Sequence, residues 1–486
     1  MPISSASKMA LRDNDAVSPK KPKRPYLTAL YFVICAITMP MVQATEVLAP
    51  NSAEMDAYLK NTFHPDEPGA TVLVMKDGKI LLSKGYGLAN IENNVAVTAD
   101  TVFHAASVGK QFTAAAIMQL ADQGKLDIKA SINKYFPDVP KSWDGIKVEN
   151  LLTHTSGIPN LYNDPSFRAR KGADMSAEDQ FKYAISLPLL AEPGTQFNYS
   201  SANYVILSIL IHQLSGQNYQ DYIREKFLIP LGMNHTSFDQ DSRLILSVAT
   251  PYGPGPSRAD YISPTLGSGA GSYFTTTADL AKWTTALFGG KILSPAWVKI
   301  MTTEFQLKDG SKVHYGYGLR PHHFHGDYIE STGDIPGFHS DTVYLPDAKI
   351  YVAIFTNGED LPWYTLPLLT KELTIMAQGG KIVQPKAIHL PRAALDLVAG
   401  RYQAHRWVRK IKVVDDHLVF EDGDGQIPAT LTPISATEFF YQSEPDLHIR
   451  FVIENGRAIS MQMYEPNAVD DEQDTVSPRI ADKLEN

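Results

Sequence analysis

The stretch HAASVGKQFT at residues 104–113 decides the fold of this chain. It places Ser107 and Lys110 three positions apart, at the start of a run with helix-spaced apolar residues: Phe112, Ala115, Ala116 and Leu120. The run stops at Gly124, a residue type that commonly ends helices. The pattern therefore predicts a helix over residues 108–123, with a hydroxyl and an amine on neighbouring turns at its beginning.

The Ser-x-x-Lys spacing alone is weak evidence of chemistry, because it occurs four times: Ser5/Lys8, Ser18/Lys21, Ser107/Lys110 and Ser131/Lys134. The first two pairs lie in an N-terminal segment that we expect to be removed, and the last lies in a polar stretch. Only Ser107/Lys110 opens an apolar helix, whose free N–H groups and positive dipole end favour developing negative charge. The alternative is a helix-capping serine beside a solvated lysine, which is the commoner meaning of such a tetrapeptide.

Composition limits the class of protein. The 486 residues allow about three domains, and 44% hydrophobic with 20% charged residues is typical of a folded chain. A net charge of -9 does not favour general nucleic-acid binding, so we expect no nucleic-acid partner. The single cysteine, Cys35, excludes an intrachain disulfide and a cysteine-based metal centre.

The N-terminus has the pattern of an export signal. Four basic residues precede the apolar run 26–42: Lys20, Lys21, Lys23 and Arg24. The small-residue pattern Val42-Gln43-Ala44 follows, so we predict a signal peptide over residues 1–44 and a secreted, periplasmic protein. No stable membrane span is expected after cleavage. The alternative is an uncleaved anchor, because the run is near the lower length limit for a membrane span.

The rest of the chain predicts an α+β fold. Residues 71–75 and 80–82 flank an Asp77-Gly78 turn and form a predicted hairpin. Apolar helices are predicted over 204–214 and 278–287, and a buried strand over 350–355. Strands at both ends of a helix-rich middle favour an α+β domain, which we place at residues 45–380.

A second, smaller domain is predicted after a linker at residues 381–394. Apolar residues then alternate with a period of two over residues 395–465, as in Ile411/Val413 and Leu418/Phe420. This favours a small all-β barrel or sandwich. The segment 466–486 is acidic and is predicted to be a disordered tail.

Five motifs occur in order: HAASVGKQFT at 104–113, LLTHTSGIP at 151–159, FNYSS at 197–201, TTTADLAKW at 275–283 and GDIPGF at 333–338. Together they resemble the serine β-lactamase and penicillin-binding-protein superfamily, specifically the class C β-lactamase-like branch of esterases, D-aminopeptidases and carboxypeptidases. The resemblance covers residues 53–379. It implies an antiparallel sheet flanked by helices, with a helical subdomain. The terminal β domain resembles the lipocalin-like domain that follows some members.

The resemblance also implies roles for individual residues. Ser107 would be the acylated nucleophile, Lys110 its proton acceptor, and Tyr199 the phenol that carries protons to and from the leaving group. The backbone N–H groups of Ser107 and Asp334 would form the oxyanion hole. His154 is interpreted as a structural, hydrogen-bonded histidine rather than a catalytic one.

The chain departs from the family pattern at two motifs. Ser201 occupies a position that is usually asparagine, and Ser331 occupies one that is usually lysine or histidine. By resemblance, four residues would contact substrate: Ser201, Ser331, Thr332 and Gly333. Because a cation is missing from the third motif, we expect uncharged esters or peptide amides to be preferred over carboxylate-bearing β-lactams.

The sequence therefore predicts a secreted serine hydrolase that acts through an acyl-enzyme on an ester or a small peptide. The expected partner is a small-molecule or peptide substrate, and neither a metal nor an organic cofactor is expected. One alternative is a penicillin-binding D,D-peptidase or β-lactamase. The other is a peptide-binding pseudoenzyme without activity. The sequence does not choose an oligomeric state or a role for the terminal β domain.

Overall fold

The computed structural model describes residues 51–238, 244–255, 257–322, 327–361, 365–382, 385–404, 407–421, 428–442, 444–464 and 475–480. The predicted signal segment at residues 1–44 lies outside the described residues. No helix within the described part of the chain is both long and apolar enough to cross a membrane.

A six-stranded antiparallel sheet forms the centre of the first domain, with strand order β12-β13-β14-β15-β1-β2. Its strands are β1 (Ala70–Lys76), β2 (Lys79–Tyr86), β12 (Arg320–His322), β13 (Tyr328–Ile335), β14 (Phe338–Leu345) and β15 (Ile350–Thr356). The predicted hairpin is β1 and β2, and the predicted buried strand is β15. Val72 on β1 pairs with Ile354 on β15, so the two ends of the domain join in one sheet.

The remaining strands of this domain are short. They are β3 (Leu88–Asn90), β4 (Val95–Ala96), β5 (Phe103–His104), β6 (Ser237–Phe238), β7 (Tyr252–Gly253), β8 (Ser257–Arg258), β9 (Tyr273–Thr275), β10 (Phe305–Gln306) and β11 (Lys312–Val313). Strand β5 pairs with β9, which in turn pairs with β6. This small sheet therefore ties the residues just before Ser107 to the middle of the chain.

Helices cover both faces of the central sheet. The α-helices of the described residues are α1 (Ser52–Thr62), α2 (Lys110–Asp122), α3 (Val148–Leu152), α4 (Pro165–Arg168), α5 (Ala177–Ile185), α6 (Ser201–Ser215), α7 (Tyr219–Ile223), α8 (Ile229–Leu231), α9 (Thr277–Phe288), α10 (Pro295–Met301), α11 (Thr365–Gln378) and α12 (Arg392–Val398). The last of them, α12, packs in the core of the second domain. Successive side chains of a strand point to opposite faces. Val72 and Val74 accordingly pack in the core formed with α1 and α11, whereas Leu73 packs in the larger core formed with α2, α6 and α9. The predicted α+β fold is confirmed.

The second domain is a closed antiparallel barrel of eight strands. They are β16 (Gly400–Ala404), β17 (Trp407–Val414), β18 (His417–Glu421), β19 (Ala429–Pro433), β20 (Glu438–Tyr441), β21 (Glu444–Glu454), β22 (Arg457–Tyr464) and β23 (Thr475–Ile480). Buried side chains, including Tyr402, Phe439, Phe451 and Met461, pack together as its core. The barrel is therefore stabilised by a packed interior.

The structure differs from the predicted C-terminal boundaries in two places. Strand β23 lies within the segment predicted to be disordered, where it pairs with β16 and β22 and closes the barrel. The edges of β16 and β22 supply hydrogen-bond partners for the backbone of β23. The acidic composition of the segment does not reveal these partners. Helix α12 begins in the last three residues of the predicted linker and continues into the predicted β domain, where Leu395 and Val398 pack into the barrel core.

Candidate active site

A tight turn presents Ser107 at the start of α2. Residues Ala106–Gly109 form a 3-10 turn that leads directly into the helix. Ala106 adopts a φ of 46°, a left-handed conformation that disfavours residues with a Cβ. The Ala106 N–H donates to His104 Nδ1 at 3.1 Å, which holds the turn in place. The predicted helix over 108–123 is thus confirmed, with its first residues wound more tightly.

Lys110 makes the contact expected of a proton acceptor for Ser107. Its ammonium Nζ donates to Ser107 Oγ at 2.9 Å and to the Ala270 carbonyl at 2.7 Å. The side chain is 1% exposed, and no carboxylate among the described residues lies within ion-pairing distance of it. Hydroxyl and amine are therefore in direct hydrogen-bond contact, as proton transfer between them requires.

Tyr199 lies beside this pair, on the loop before α6. Lys110 Nζ is 5.0 Å from the centre of its ring, and Tyr199 lines the same cavity as Ser107. The face of the ring packs on His154, with 4.2 Å between ring centres. The structure thus brings together all three residues to which the resemblance gives a catalytic role.

Strand β13 borders Ser107 through the third motif. Ser331 and Thr332 line the cavity. A Cβ placed on Gly333 would lie 2.2 Å from the Ala105 carbonyl oxygen and 2.9 Å from the Ser107 nitrogen, so only glycine allows this approach. Asp334 follows on the same strand, with its exposed carboxylate paired to His339 Nδ1 at 2.8 Å. Its role in the oxyanion hole stays a prediction.

The second motif contributes less to the cavity than predicted. Ser201 begins α6 and is not among the residues that line the cavity. Asn203, two residues later, is fully buried, accepts from Ser156 Oγ at 2.8 Å and lies 3.3 Å from His154 Nδ1. It therefore fixes the loop that carries Tyr199 rather than reaching substrate.

The cavity also contains residues that the sequence reasoning missed: Tyr315, Gly318, Leu319, Arg320 and Glu330. The free space among them is about 10 Å³, enough for one water-sized group. The segment YGYG at 315–318 is the available sequence signal. Gly318 has a φ of 75°, and a Cβ there would lie 2.9 Å from the Lys110 carbonyl oxygen. Because residue 318 is a glycine, the segment 315–318 can approach α2.

Arg320 supplies a positive charge that the third motif lacks. It comes from the edge strand β12, and its guanidinium carbon lies 5.9 Å from the centre of the Tyr315 ring. Within the described residues no carboxylate lies within ion-pairing distance of Arg320. Glu330, its cross-strand neighbour, pairs with His322 Nε2 at 3.2 Å instead. Residue 331, usually a cation in the family, is a serine here, but Arg320 places a cation in the same cavity.

A larger groove lies apart from Ser107. A groove of about 460 Å³, lined by residues such as Val102, Leu228 and Met233, contains none of the predicted site residues. Within the described residues no group of three His, Cys, Asp or Glu side chains is placed to hold a metal ion.

Comparison with known proteins agrees with this geometry. The sequence profile of the beta-lactamase family matches residues 55–369, which is more than half of the chain. The chain belongs to the beta-lactamase family. It is therefore a member of the serine β-lactamase and penicillin-binding-protein superfamily.

Individual relatives of this beta-lactamase-family chain differ in how much of it they cover. Protein flp from Staphylococcus aureus (strain MRSA252) is 34% identical over 179 residues, or 36% of each chain. The chain thus spans about a third of the length of such curated relatives.

Two solved structures share the fold. The octameric penicillin-binding protein homologue from Pyrococcus abyssi has a TM-score of 0.61 and 23% identity, and the alignment covers 88% of this chain and 99% of that one. The D-amino acid amidase from Ochrobactrum anthropi SV3 has a TM-score of 0.56 and 20% identity, with 67% and 99% covered.

Electrostatics keep two aromatic groups of this beta-lactamase-family site neutral. Burial, together with the positive charges of Lys110 and Arg320, holds the pKa of His154 well below its usual range. Burial and the neighbouring Tyr199 raise the pKa of Tyr315 far above its usual value. His154 is therefore an uncharged imidazole and Tyr315 an intact phenol at neutral pH.

Proposed function

We propose that this protein is a secreted serine hydrolase that forms an acyl-enzyme at Ser107. The observation that carries the proposal is the 2.9 Å contact between Lys110 Nζ and Ser107 Oγ, in a cavity shared with Tyr199. A serine hydroxyl is a weak nucleophile unless a neighbouring base removes its proton. Lys110 Nζ is placed to accept that proton in its amine form.

The chemistry follows in two steps. In the first, Ser107 Oγ attacks the carbonyl carbon while its proton passes to Lys110, and Tyr199 gives a proton to the departing oxygen or nitrogen. In the second, water attacks the acyl-enzyme, one of its protons is taken up by the same groups, and Ser107 regains its hydrogen. Backbone N–H groups at Ser107 and on β13 would stabilise the oxyanion in both steps.

We further propose esters and small peptide amides as the substrate class. The D-amino acid amidase with the same fold supports amide hydrolysis. Export rests on the basic cluster and apolar run of residues 20–42, which lie outside the described residues.

A substrate profile tests this function. We expect turnover of p-nitrophenyl esters or of D- or L-aminoacyl amides, together with covalent labelling by an active-site-directed phosphonate. A chromogenic cephalosporin included in the same profile tests the β-lactamase alternative. If the protein neither turns over any substrate nor takes up the phosphonate, it is a binding protein rather than an enzyme.

Arg320 favours one alternative, a D,D-peptidase that acts on substrates with a free carboxylate. A guanidinium forms paired hydrogen bonds with a carboxylate, and this one has no ion-pair partner among the described residues. The preference for uncharged substrates was expected because the third motif lacks a cation. Arg320 weakens that reason, since it places a cation in the cavity from the next strand.

The Arg320→Gln variant separates these two substrate preferences. We compare a thioester whose leaving group is thioglycolate with the thioester of its uncharged carboxamide analogue, by following thiol release. If Arg320 binds the carboxylate, its replacement should lower kcat/KM for the charged thioester about tenfold or more and change that for the uncharged thioester little. The control is Arg168→Gln, which removes an exposed arginine outside the cavity. An unchanged ratio between the two thioesters would reject the carboxylate-binding alternative.

A further inference from the structure

A glycine-rich segment at residues 267–272 carries a carbonyl group that contacts Lys110. The Ala270 carbonyl accepts from Lys110 Nζ at 2.7 Å, and the same Nζ donates to Ser107 Oγ at 2.9 Å. The segment has the sequence GSGAGS, so its own side chains restrict its backbone little. The position of the Ala270 carbonyl therefore depends on the contacts that hold this segment.

The segment packs closely against α6 and against the turn that carries Ser107. Gly269 has a φ of 67°, and a Cβ there would lie 2.4 Å from the Tyr204 carbonyl oxygen of α6. A Cβ on Gly271 would lie 2.6 Å from the Ala106 carbonyl oxygen. Glycine allows this approach, but it does not fix the direction of a peptide group. A hydrogen bond to one of the peptide groups is needed for that.

Thr113 makes such a hydrogen bond from α2 itself. It lies three residues after Lys110, so the two side chains are neighbours on one face of the helix. Thr113 is fully buried, and its Oγ1 donates to the Gly269 carbonyl at 2.6 Å. Among the hydrogen bonds of the described residues, this is the one that the Gly269 carbonyl accepts. One face of α2 thus contacts two successive carbonyl groups, that of Gly269 through Thr113 and that of Ala270 through Lys110.

The partners of Thr113 determine where its proton points. A carbonyl oxygen can only accept, so the single proton of Thr113 Oγ1 points to Gly269. The Tyr219 hydroxyl, 2.7 Å from Thr113 Oγ1, is then the donor to that oxygen. Because this bond uses the Tyr219 proton, the buried Tyr273 hydroxyl donates to Tyr219 in turn. The Thr113 proton is therefore committed to the Gly269 carbonyl.

We propose that Thr113 is a positioning residue: its bond to the Gly269 carbonyl holds the next carbonyl, that of Ala270, where it directs Lys110 Nζ toward Ser107 Oγ. This inference rests on the proposed acyl-transfer function. The lysine nitrogen ends a flexible four-carbon chain, so a second, fixed hydrogen bond restricts the directions that Nζ takes. A displacement of about 1 Å between reacting groups can cost a hundredfold in rate. Thr113 does not line the cavity, so it acts through Lys110 rather than on the substrate.

The first test compares Thr113→Val with Thr113→Ser. Valine has nearly the shape of threonine without the hydroxyl, whereas serine keeps the hydroxyl and loses the methyl group. We expect kcat/KM for a p-nitrophenyl ester to fall about tenfold to a hundredfold in Thr113→Val and to stay within about threefold of wild type in Thr113→Ser. Equal losses in the two variants, or a Thr113→Val enzyme within about twofold of wild type, would overturn the proposal.

Melting temperatures show whether each variant folds. If Thr113→Val does not fold, Thr113→Ala replaces it in the comparison, because alanine and serine differ only by the hydroxyl. If neither Thr113→Val nor Thr113→Ala folds, the hydroxyl is a requirement for folding and the positioning role is rejected.

Tyr273→Phe is the control for a loss of stability. It removes another buried hydroxyl next to Tyr219 but leaves the bond from Thr113 to the Gly269 carbonyl in place. We expect a lower melting temperature in both Tyr273→Phe and Thr113→Val, because each leaves a buried polar group without its partner. Only Thr113→Val should lose more than about threefold in kcat/KM. A loss in Tyr273→Phe as large as that in Thr113→Val would show that the rate follows stability, against the proposal.

The second test asks whether Thr113 acts through Lys110. Without the Lys110 amine there is no nitrogen to direct, so Thr113→Val should slow phosphonate labelling of Ser107 little further in a Lys110→Met chain. The same substitution should slow labelling about tenfold or more when Lys110 is present. Losses that multiply in the double variant would reject the positioning role.

These outcomes separate the inference from the function on which it rests. A wild-type protein that hydrolyses nothing and takes up no phosphonate removes both. A wild-type protein that turns over esters, with a Thr113→Val variant of equal kcat/KM, removes only the inference.

Discussion

Replacing Ser107 by alanine should abolish hydrolysis and covalent labelling by an active-site-directed phosphonate. Ser107 Oγ is the atom that would form the acyl-enzyme, and no other hydroxyl lies within reach of Lys110 Nζ among the hydrogen bonds described for it. Removing a serine nucleophile that acts with its base lowers kcat by about 10⁴-fold or more. The measurement is kcat/KM on a p-nitrophenyl ester, with labelling followed by mass spectrometry of the intact protein. The fold should be retained, since Ser107 is only partly buried and alanine is smaller.

The chain itself offers the control for this variant. Ser131 has the same spacing to Lys134 that Ser107 has to Lys110, but it caps a short 3-10 turn, where Ser131 Oγ accepts from the Asn133 N–H at 3.3 Å. Ser131→Ala should lose about 1 kcal/mol of unfolding free energy and keep full turnover. Persistent phosphonate labelling of Ser107→Ala would show that the nucleophile lies elsewhere.

Lys110→Met should lower kcat/KM by about 10²- to 10⁴-fold, the usual contribution of a positioned general base. Methionine keeps an unbranched apolar chain of similar length in this buried position. It removes the hydrogen bond to Ser107 Oγ and leaves the Ala270 carbonyl without its 2.7 Å donor. Loss of that donor costs about 1–3 kcal/mol of stability, which thermal unfolding would detect. Phosphonate labelling of Ser107 should slow in parallel with turnover.

Lys134→Met is the matched control, because Lys134 is exposed and belongs to the pair that caps the 3-10 turn. We expect turnover within about twofold of wild type, as for most exposed substitutions. A Lys110→Met enzyme that keeps more than about a tenth of wild-type turnover would show that another group accepts the Ser107 proton.

The local sequence pattern was enough to predict helix α2 and the contact between Ser107 and Lys110 at its start. The apolar spacing after Ser107 predicts α2, and the i, i+3 relation of Ser107 and Lys110 predicts their contact, because both depend on residues close in the chain. The motif resemblance further located Tyr199 and Ser331, which the structure places beside that pair. The choice of Ser107/Lys110 over Ser131/Lys134 agrees with the capping role observed for Ser131.

The features that the sequence did not reveal depend on pairing and packing between separate elements. Strand β23 closes the barrel against two edges, although the acidic segment around it predicts disorder. Arg320 reaches the cavity because β12 pairs with β13, and Tyr315 does so because Gly318 allows its segment to approach α2. None of these contacts follows from the periodicity of a single helix or strand, since each joins two separate elements.

The sequence by itself thus determined the fold class, the helix that begins beside Ser107 and the contact between Ser107 and Lys110. Only the tertiary structure decided what surrounds that pair: a cation from the edge strand, a second phenol and a neutral histidine beneath both tyrosines. The physical reason is the length of chain over which each effect acts. Helix periodicity acts over a few residues, whereas the charge and hydrogen bonding of the cavity depend on side chains that only strand pairing and close packing bring together.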